Sequence, residues 1–213
     1  MQLYSFFNSS TSYRVRIALA LKGLPYDYVP VNIRTGANRD ADYIATVNPS
    51  ACVPAVIDGD MRLGQSLAII DWLDQIQPTP LLIPRDGKAR ARVLEISHLI
   101  SCDIHPVNNL RILKYLQDEL SASAEQKSAW YQHWIAQGME SVELLLRDSA
   151  SGEWCIGDAP TLADCCLIPQ MANAERMGCD LSAYSRSLEI YRKAQQHPAF
   201  LSARPSVQPD FQA

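Results

Sequence analysis

The chain has 213 residues, 47% of them hydrophobic and 20% charged, with a formal net charge of −4. That length buries one large core or two smaller ones, and the hydrophobic share is that of a globular protein. No run of Lys and Arg stands out, which excludes nucleic acid and anionic membrane surfaces as expected partners, so any anionic ligand has to be met by local cations.

Leu3, Tyr4, Phe6 and Phe7 predict a short buried strand. The stretch Asn8-Ser9-Ser10-Thr11-Ser12-Tyr13-Arg14-Val15-Arg16 follows and opens into a helical run that starts within Ser10 to Ser12 and stops near Lys22, before Gly23 and Pro25. Small hydroxyls at such a start have two readings: they cap the helix, or they join its exposed N–H groups in holding an anion such as a thiolate. Tyr26 to Asn32 predicts a second strand with a sheet edge near Pro30, completing a βαβ unit with parallel strands. Arg34 to Arg39 is a loop, and Ala41 to Val47 a short helix ended by Asn48-Pro49.

From Cys52 to Leu63 a strand, an Asp58-Gly59 turn and a second strand form a hairpin. Pro54 either starts an edge strand or has a cis bond that turns the backbone of Val53 toward a ligand, and the residues alone favour the former. Gly64-Gln65-Ser66 then leads into the helical pattern Leu67 to Leu73, with Ser66 as N-cap. Gln65 and Ser66 are candidates for gripping a carboxylate, with simple capping as the alternative.

Three prolines between Gln77 and Gly87 mark a linker. The expected organisation is a first domain over residues 1–77, a linker over 78–87 and a helical domain over 88–213. Helices are expected at Lys88 to Asp103, Val107 to Glu119, Ala124 to Asp148, Thr161 to Ala174 and Ser185 to Gln196, all with apolar residues three and four apart. Thr161 and Asp164 form a capping arrangement that is a folding signal. Cys52, Cys102, Cys155, Cys165, Cys166 and Cys179 lack CxxC spacing, so reduced thiols and no metal are expected. No apolar run approaches a membrane span and no secretory signal opens the chain, which makes a cytoplasmic location the expectation.

Together these features resemble the cytosolic glutathione S-transferase superfamily. Ser9 to Leu19, Asn109-Leu110 and Asn173-Ala174-Glu175-Arg176 are similar to its zeta class, which includes the maleylacetoacetate and maleylpyruvate isomerases. The resemblance spans essentially the whole chain. It implies an α/β N-terminal thioredoxin-like domain followed by an all-α C-terminal domain, glutathione as cofactor, a small dicarboxylate substrate, and a homodimer; the apolar residues around Ala91, Leu94 and Ile96 are interface or, equally, core. The implied reaction is cis-trans isomerisation of a maleyl dicarboxylate in aromatic catabolism. A transferase that conjugates electrophiles and a non-catalytic binding module of the same fold are the alternatives.

Carried over by residue, the resemblance implies that Ser9, Ser10 and Thr11 stabilise the glutathione thiolate. Val53 would pair with its cysteinyl part beside a cis Pro54. Gln65 and Ser66 would hold the γ-glutamyl carboxylate, and His105, Asn109 and Arg39 the other end. Arg14, Arg111 and Arg176 would meet the substrate's carboxylates. The class usually has cysteine where Thr11 stands, so the attacking sulfur has to be glutathione's own. Bland readings stand beside these: His105 as a helix-terminal histidine before Pro106, Arg176 in a surface ion pair, and Arg14 with Arg16 opposing a helix dipole that something must compensate.

Overall fold

The computed structural model describes residues 1–148 and 152–212. They fall into two compact units, Met1–Ile83 with Ala194–Ala213, and Pro84–Lys193. In chain order the main elements are β1 (Gln2–Ser5), α1 (Ser10–Lys22), β2 (Asp27–Pro30), α2 (Ala41–Thr46), β3 (Ala55–Asp58), β4 (Met61–Gly64) and α3 (Ser66–Ile76). There follow α4 (Gly87–His98), α5 (Leu110–Asp118), α6 (Ala124–Asp148), α7 (Leu162–Arg176), α8 (Ser185–Ala194) and α9 (Pro198–Ala203).

In the first unit the four strands are ordered β2-β1-β3-β4. Leu3 of β1 faces Tyr28 in the parallel pairing and Val56 in the antiparallel one, and Val56 faces Leu63 across the hairpin. Pro30 sits in the outer strand β2, where its missing N–H costs the ladder nothing. Gly59 makes the hairpin turn at φ +59°, a conformation that an L side chain resists. Phe6, Phe7, Val31, Tyr43, Val47, Val53 and Ala55 form a core cluster, while α1 packs against α3 and α9.

The first unit does not end at the proline linker, because the described residues from Ala194 onward return to it. Arg16 is fully buried and donates from Nε to the Ala203 carbonyl at 2.9 Å. Asp210 accepts from the Tyr28 hydroxyl at 2.6 Å and the Phe7 N–H at 3.0 Å, and the Phe211 ring meets the Phe7 ring edge-on at 5.5 Å. A domain running over 88–213 is thus corrected at its C-terminal end by an arginine and two aromatic contacts whose partners lie far away in sequence. The linker is itself tied down: Lys22 Nζ donates to the carbonyls of Gln77 and Pro80, both at 2.7 Å, and pairs with Asp74 at 2.6 Å. Asp74 in turn accepts the N–H groups of Leu82 and Ile83.

The second unit is helical. Its first helix runs on as a π-helical turn, Leu99–Ile104, rather than as plain α-helix to Asp103. At Gly138 of α6, a Cβ would lie 2.2 Å from Ile104 Cγ1, so only glycine lets that turn approach. The helix expected from Val107 is interrupted: a 3₁₀ turn, Pro106–Asn108, precedes α5, and Asn109 is the N-cap. Asp164 accepts from the N–H and hydroxyl of Thr161 at 2.7 and 2.9 Å and from the N–H of Cys155 at 2.9 Å, as the capping signal requires. Among the described residues no helix is long and apolar enough to cross a membrane.

Candidate active site

The start of α1 is built from hydroxyls and has no acidic residue in its first turn. Ser9 is the N-cap, extended at φ −85°, ψ 119°, and its Oγ accepts the Ser12 N–H at 3.2 Å. Thr11 donates to the Val53 carbonyl at 3.0 Å, which uses its one hydroxyl proton. The 2.9 Å contact between Ser9 and Thr11 is therefore donated by Ser9. Capping, one of the two readings of this turn, is made by Ser9, and a chain of hydroxyls runs from that cap to Val53. Ser10, half-buried at the first helical position, stands beside that chain.

Val53 precedes a cis Pro54, and both are buried. The bond is cis, as the resemblance implies and the residues alone do not favour. Thr11 thus staples the helix start to the segment that leads into β3, while the second lone pair of the Val53 carbonyl remains. Sequence reasoning misses what shapes the approach to Val53. The Cys52 carbonyl accepts from Tyr43 Oη and Asn48 Nδ2, both at 2.8 Å, and Asn48 Oδ1 takes the Ser50 N–H at 3.0 Å. The only signal in the residue order is Asn48 before Pro49, which marks no more than the end of a helix.

At the second helix start the N-cap is Gln65, not Ser66, which is the first residue of α3. Gln65 is exposed at φ +66°, ψ 112°, an unusual backbone for a side-chain-bearing residue. Ser66 is buried, and α3 has no acidic residue in its first turn. Arg14 Nη1 donates to Ser66 Oγ at 3.3 Å. Arg14 is only 2% exposed, so it is withdrawn from the solvent-borne substrate carboxylates expected to meet it. Arg39 is exposed at the end of a 3₁₀ turn, Ala37–Arg39, and makes no ion pair among the described residues.

Within the helical unit, Asn109 Nδ2 lies 3.3 Å from His105 Nε2, and Asn109 Oδ1 caps the Arg111 N–H at 3.1 Å. Both ends of the Asn109 amide are thereby engaged, while the Arg111 side chain is exposed and without an ion pair among the described residues. Arg176 is exposed at the C-terminus of α7, where a cation complements the helix dipole. Its Nη2 donates to Asn173 Oδ1, and Asn173 Nδ2 donates to the Tyr131 hydroxyl at 2.9 Å. Burial pushes the Tyr131 phenol up to about 12 against the opposing pull of Arg176, so that hydroxyl stays protonated. The surface ion pair considered for Arg176 is not formed among the described residues. Glu175 instead accepts from Tyr191 at 2.8 Å.

Comparison with known proteins follows the same division. Residues 1–75 match the model of the glutathione S-transferase N-terminal domain. The chain is 44% identical to a probable maleylacetoacetate isomerase of Vibrio cholerae over 98% of this chain and 97% of that protein. A solved holo structure described as a maleyl pyruvate isomerase, a bacterial glutathione S-transferase of the zeta class, is 42% identical with a TM-score of 0.96, each chain covered in full. A maleylacetoacetate isomerase of Anaeromyxobacter dehalogenans, 35% identical with a TM-score of 0.87, covers 99% of this chain and 93% of its own. It was solved with dicarboxyethyl glutathione and citrate in its active site.

Proposed function

The chain belongs to the zeta-class glutathione S-transferase family that includes the maleylacetoacetate and maleylpyruvate isomerases, and from that premise we propose that it turns the cis double bond of a maleyl dicarboxylate trans, using glutathione without consuming it. The observation that carries the reading is the acid-free, hydroxyl-lined start of α1 joined through Thr11 to Val53. In the relative from Anaeromyxobacter dehalogenans the bound dicarboxyethyl glutathione has the composition of a thiol added across a butenedioate double bond.

Bound glutathione supplies a thiolate whose reversible addition to the alkene turns the double bond into a single bond free to rotate. The protein's task is to keep that sulfur ionised. Lowering a thiol pKa by about two units needs roughly 2.7 kcal/mol of preference for the anion. One or two charge-assisted hydrogen bonds of about 1.5 to 3 kcal/mol each, plus a helix terminus at roughly 0.3 to 1 kcal/mol, are sufficient. The Ser10 hydroxyl, the first N–H groups of α1 and a Ser9 hydroxyl turned away from Thr11 are the donors. Val53 pairs with the cysteinyl backbone, Gln65 and Ser66 take the γ-glutamyl carboxylate, and Arg39, His105 and Asn109 take the remaining end. Arg111 and Arg176 recognise the substrate's two carboxylates and steady the negative charge that develops on it. We place the enzyme in the cytoplasm as a homodimer.

The test is an assay of maleylpyruvate and maleylacetoacetate with glutathione at catalytic concentration. Many turnovers per glutathione and a trans product support the reading. Stoichiometric loss of free thiol overturns it in favour of a conjugating transferase, and absence of turnover with unperturbed thiol absorbance favours a binding module.

A further inference from the structure

We propose that Arg14 is a positioning residue for glutathione, acting through Ser66 to orient its hydroxyl toward the γ-glutamyl carboxylate. This rests on the reading that Gln65 and Ser66 grip that carboxylate, and it explains why a cation is buried in the first turns of α1, where it opposes the helix dipole.

Arg14 is 2% and Ser66 5% exposed, and the two meet at 3.3 Å. A guanidinium has only donors, so Ser66 Oγ has to be the acceptor. The serine's single proton is then not spent on Arg14 and remains for an outside acceptor. A hydroxyl rotor without this neighbour is as ready to present a lone pair, which repels a carboxylate, as a proton, which binds it. A hydroxyl that accepts from a cation is also polarised into a better donor. Because α1 packs against α3, the positive charge is held beside a helix start that has no acid of its own. The exposed Gln65, fixed at φ +66°, supplies the second group at the same start.

The experiment measures KM, kcat and calorimetric affinity for Arg14→Gln, Arg14→Lys, Ser66→Ala and the Arg14→Gln/Ser66→Ala pair. Each is tested with glutathione and with γ-aminobutyryl-Cys-Gly, the same tripeptide lacking the γ-glutamyl carboxylate. Arg14→Gln is expected to raise KM for glutathione roughly tenfold, about 1.4 kcal/mol, with kcat at saturation near the parent value. Arg14→Lys should recover part of the loss. Neither substitution should change affinity for the truncated peptide, and Arg14→Gln should add less than about twofold on top of Ser66→Ala.

Equal weakening of both peptides, or full additivity with Ser66→Ala, overturns the inference while leaving the glutathione reading intact. Unaltered protein that binds both peptides equally, or neither, removes that reading and the inference with it. If Arg14→Gln fails to fold, a cycle built on Arg14→Lys and Ser66→Ala decides the question by the same criteria.

Discussion

The two units differ most in what occupies their helix starts, and the difference shows where an anion can enter. In the first unit buried cations serve carbonyls, and the buried Asp74 serves linker N–H groups rather than a helix start. Arg16 donates to the Ala203, Phe6 and Phe7 carbonyls and to the Ser5 hydroxyl, and Lys22 donates to the carbonyls of Gln77 and Pro80. In the helical unit buried carboxylates serve N–H groups. Glu143 accepts from the N–H groups of Arg186 and Ser187 at the start of α8, and Asp164 accepts from those of Cys155 and Thr161. A helix start already filled by the protein's own carboxylate has no room for a ligand's. With no acid in the first turn of α1 or of α3, and with Arg14 donating to Ser66 at the start of α3, the N–H groups there stay clear of carboxylates, which is what a thiolate and a carboxylate ligand require.

The largest break in this comparison is Lys22→Met. It strands the Asp74 carboxylate, whose side chain is 2% exposed, and frees two linker carbonyls. Loss of about 3 to 5 kcal/mol is expected in urea unfolding. Glu143→Gln is the matching change in the helical unit and should cost about 1 to 3 kcal/mol at neutral pH. Burial alone would raise the Glu143 carboxyl, but hydrogen bonds from Arg186, Ser187 and Arg147 outweigh it and hold it below its ordinary value. A lowered folded pKa gives stability that is present above the unfolded value near 4.3 and lost as the pH falls through the folded one. Stability of the unaltered protein should accordingly decline through that acid window, and the Gln variant should show a flatter curve there.

A third change carries the device of one region into the other. Ser10→Asp places a carboxylate at the first residue of α1, as Asp164 stands in the first turn of α7. The helix should be no less stable, since an acid there gains roughly 0.3 to 1 kcal/mol. Affinity for glutathione should nevertheless fall at least tenfold, about 1.4 kcal/mol, by calorimetry. Retained affinity would mean that the start of α1 is not where the anion sits.

Much of this is legible in residue order where the cause is local. The bounds of α1 follow from its serines and Gly23, those of α6 from apolar spacing, and the Asp164 cap from Thr161 three residues before it. What escapes depends on distant partners. Nothing near Arg16 announces that its guanidinium will meet residue 203, and so residue order assigns the returning C-terminal segment to the helical domain. The expectation that Arg14 meets substrate comes from a dicarboxylate's need for cations, and nothing near it in residue order shows that it is buried and donates to Ser66, 52 positions away. The Lys22–Asp74 pair is hidden for the same reason. The hydroxyl chain from Ser9 through Thr11 to Val53 is visible as composition but not as direction, since the route of each proton depends on a carbonyl supplied by another element.

The smallest expected effect on folding, and the one that separates recognition from architecture, is at Arg176. Unlike Arg14 and Arg16 it is exposed, and its side chain is held through Asn173 and Tyr131 rather than by an acid. An exposed cation with a neutral tether contributes little to stability, and Arg176→Ala should shift unfolding by no more than about 0.5 kcal/mol. It remains available to a soluble anion, so KM for a dicarboxylate substrate should rise several-fold while affinity for glutathione holds. Tyr131→Phe sharpens the point, since it removes only the hydroxyl that receives Asn173. It should reproduce part of the KM increase if the tether aims the guanidinium, and none of it if Arg176 acts as a mobile charge.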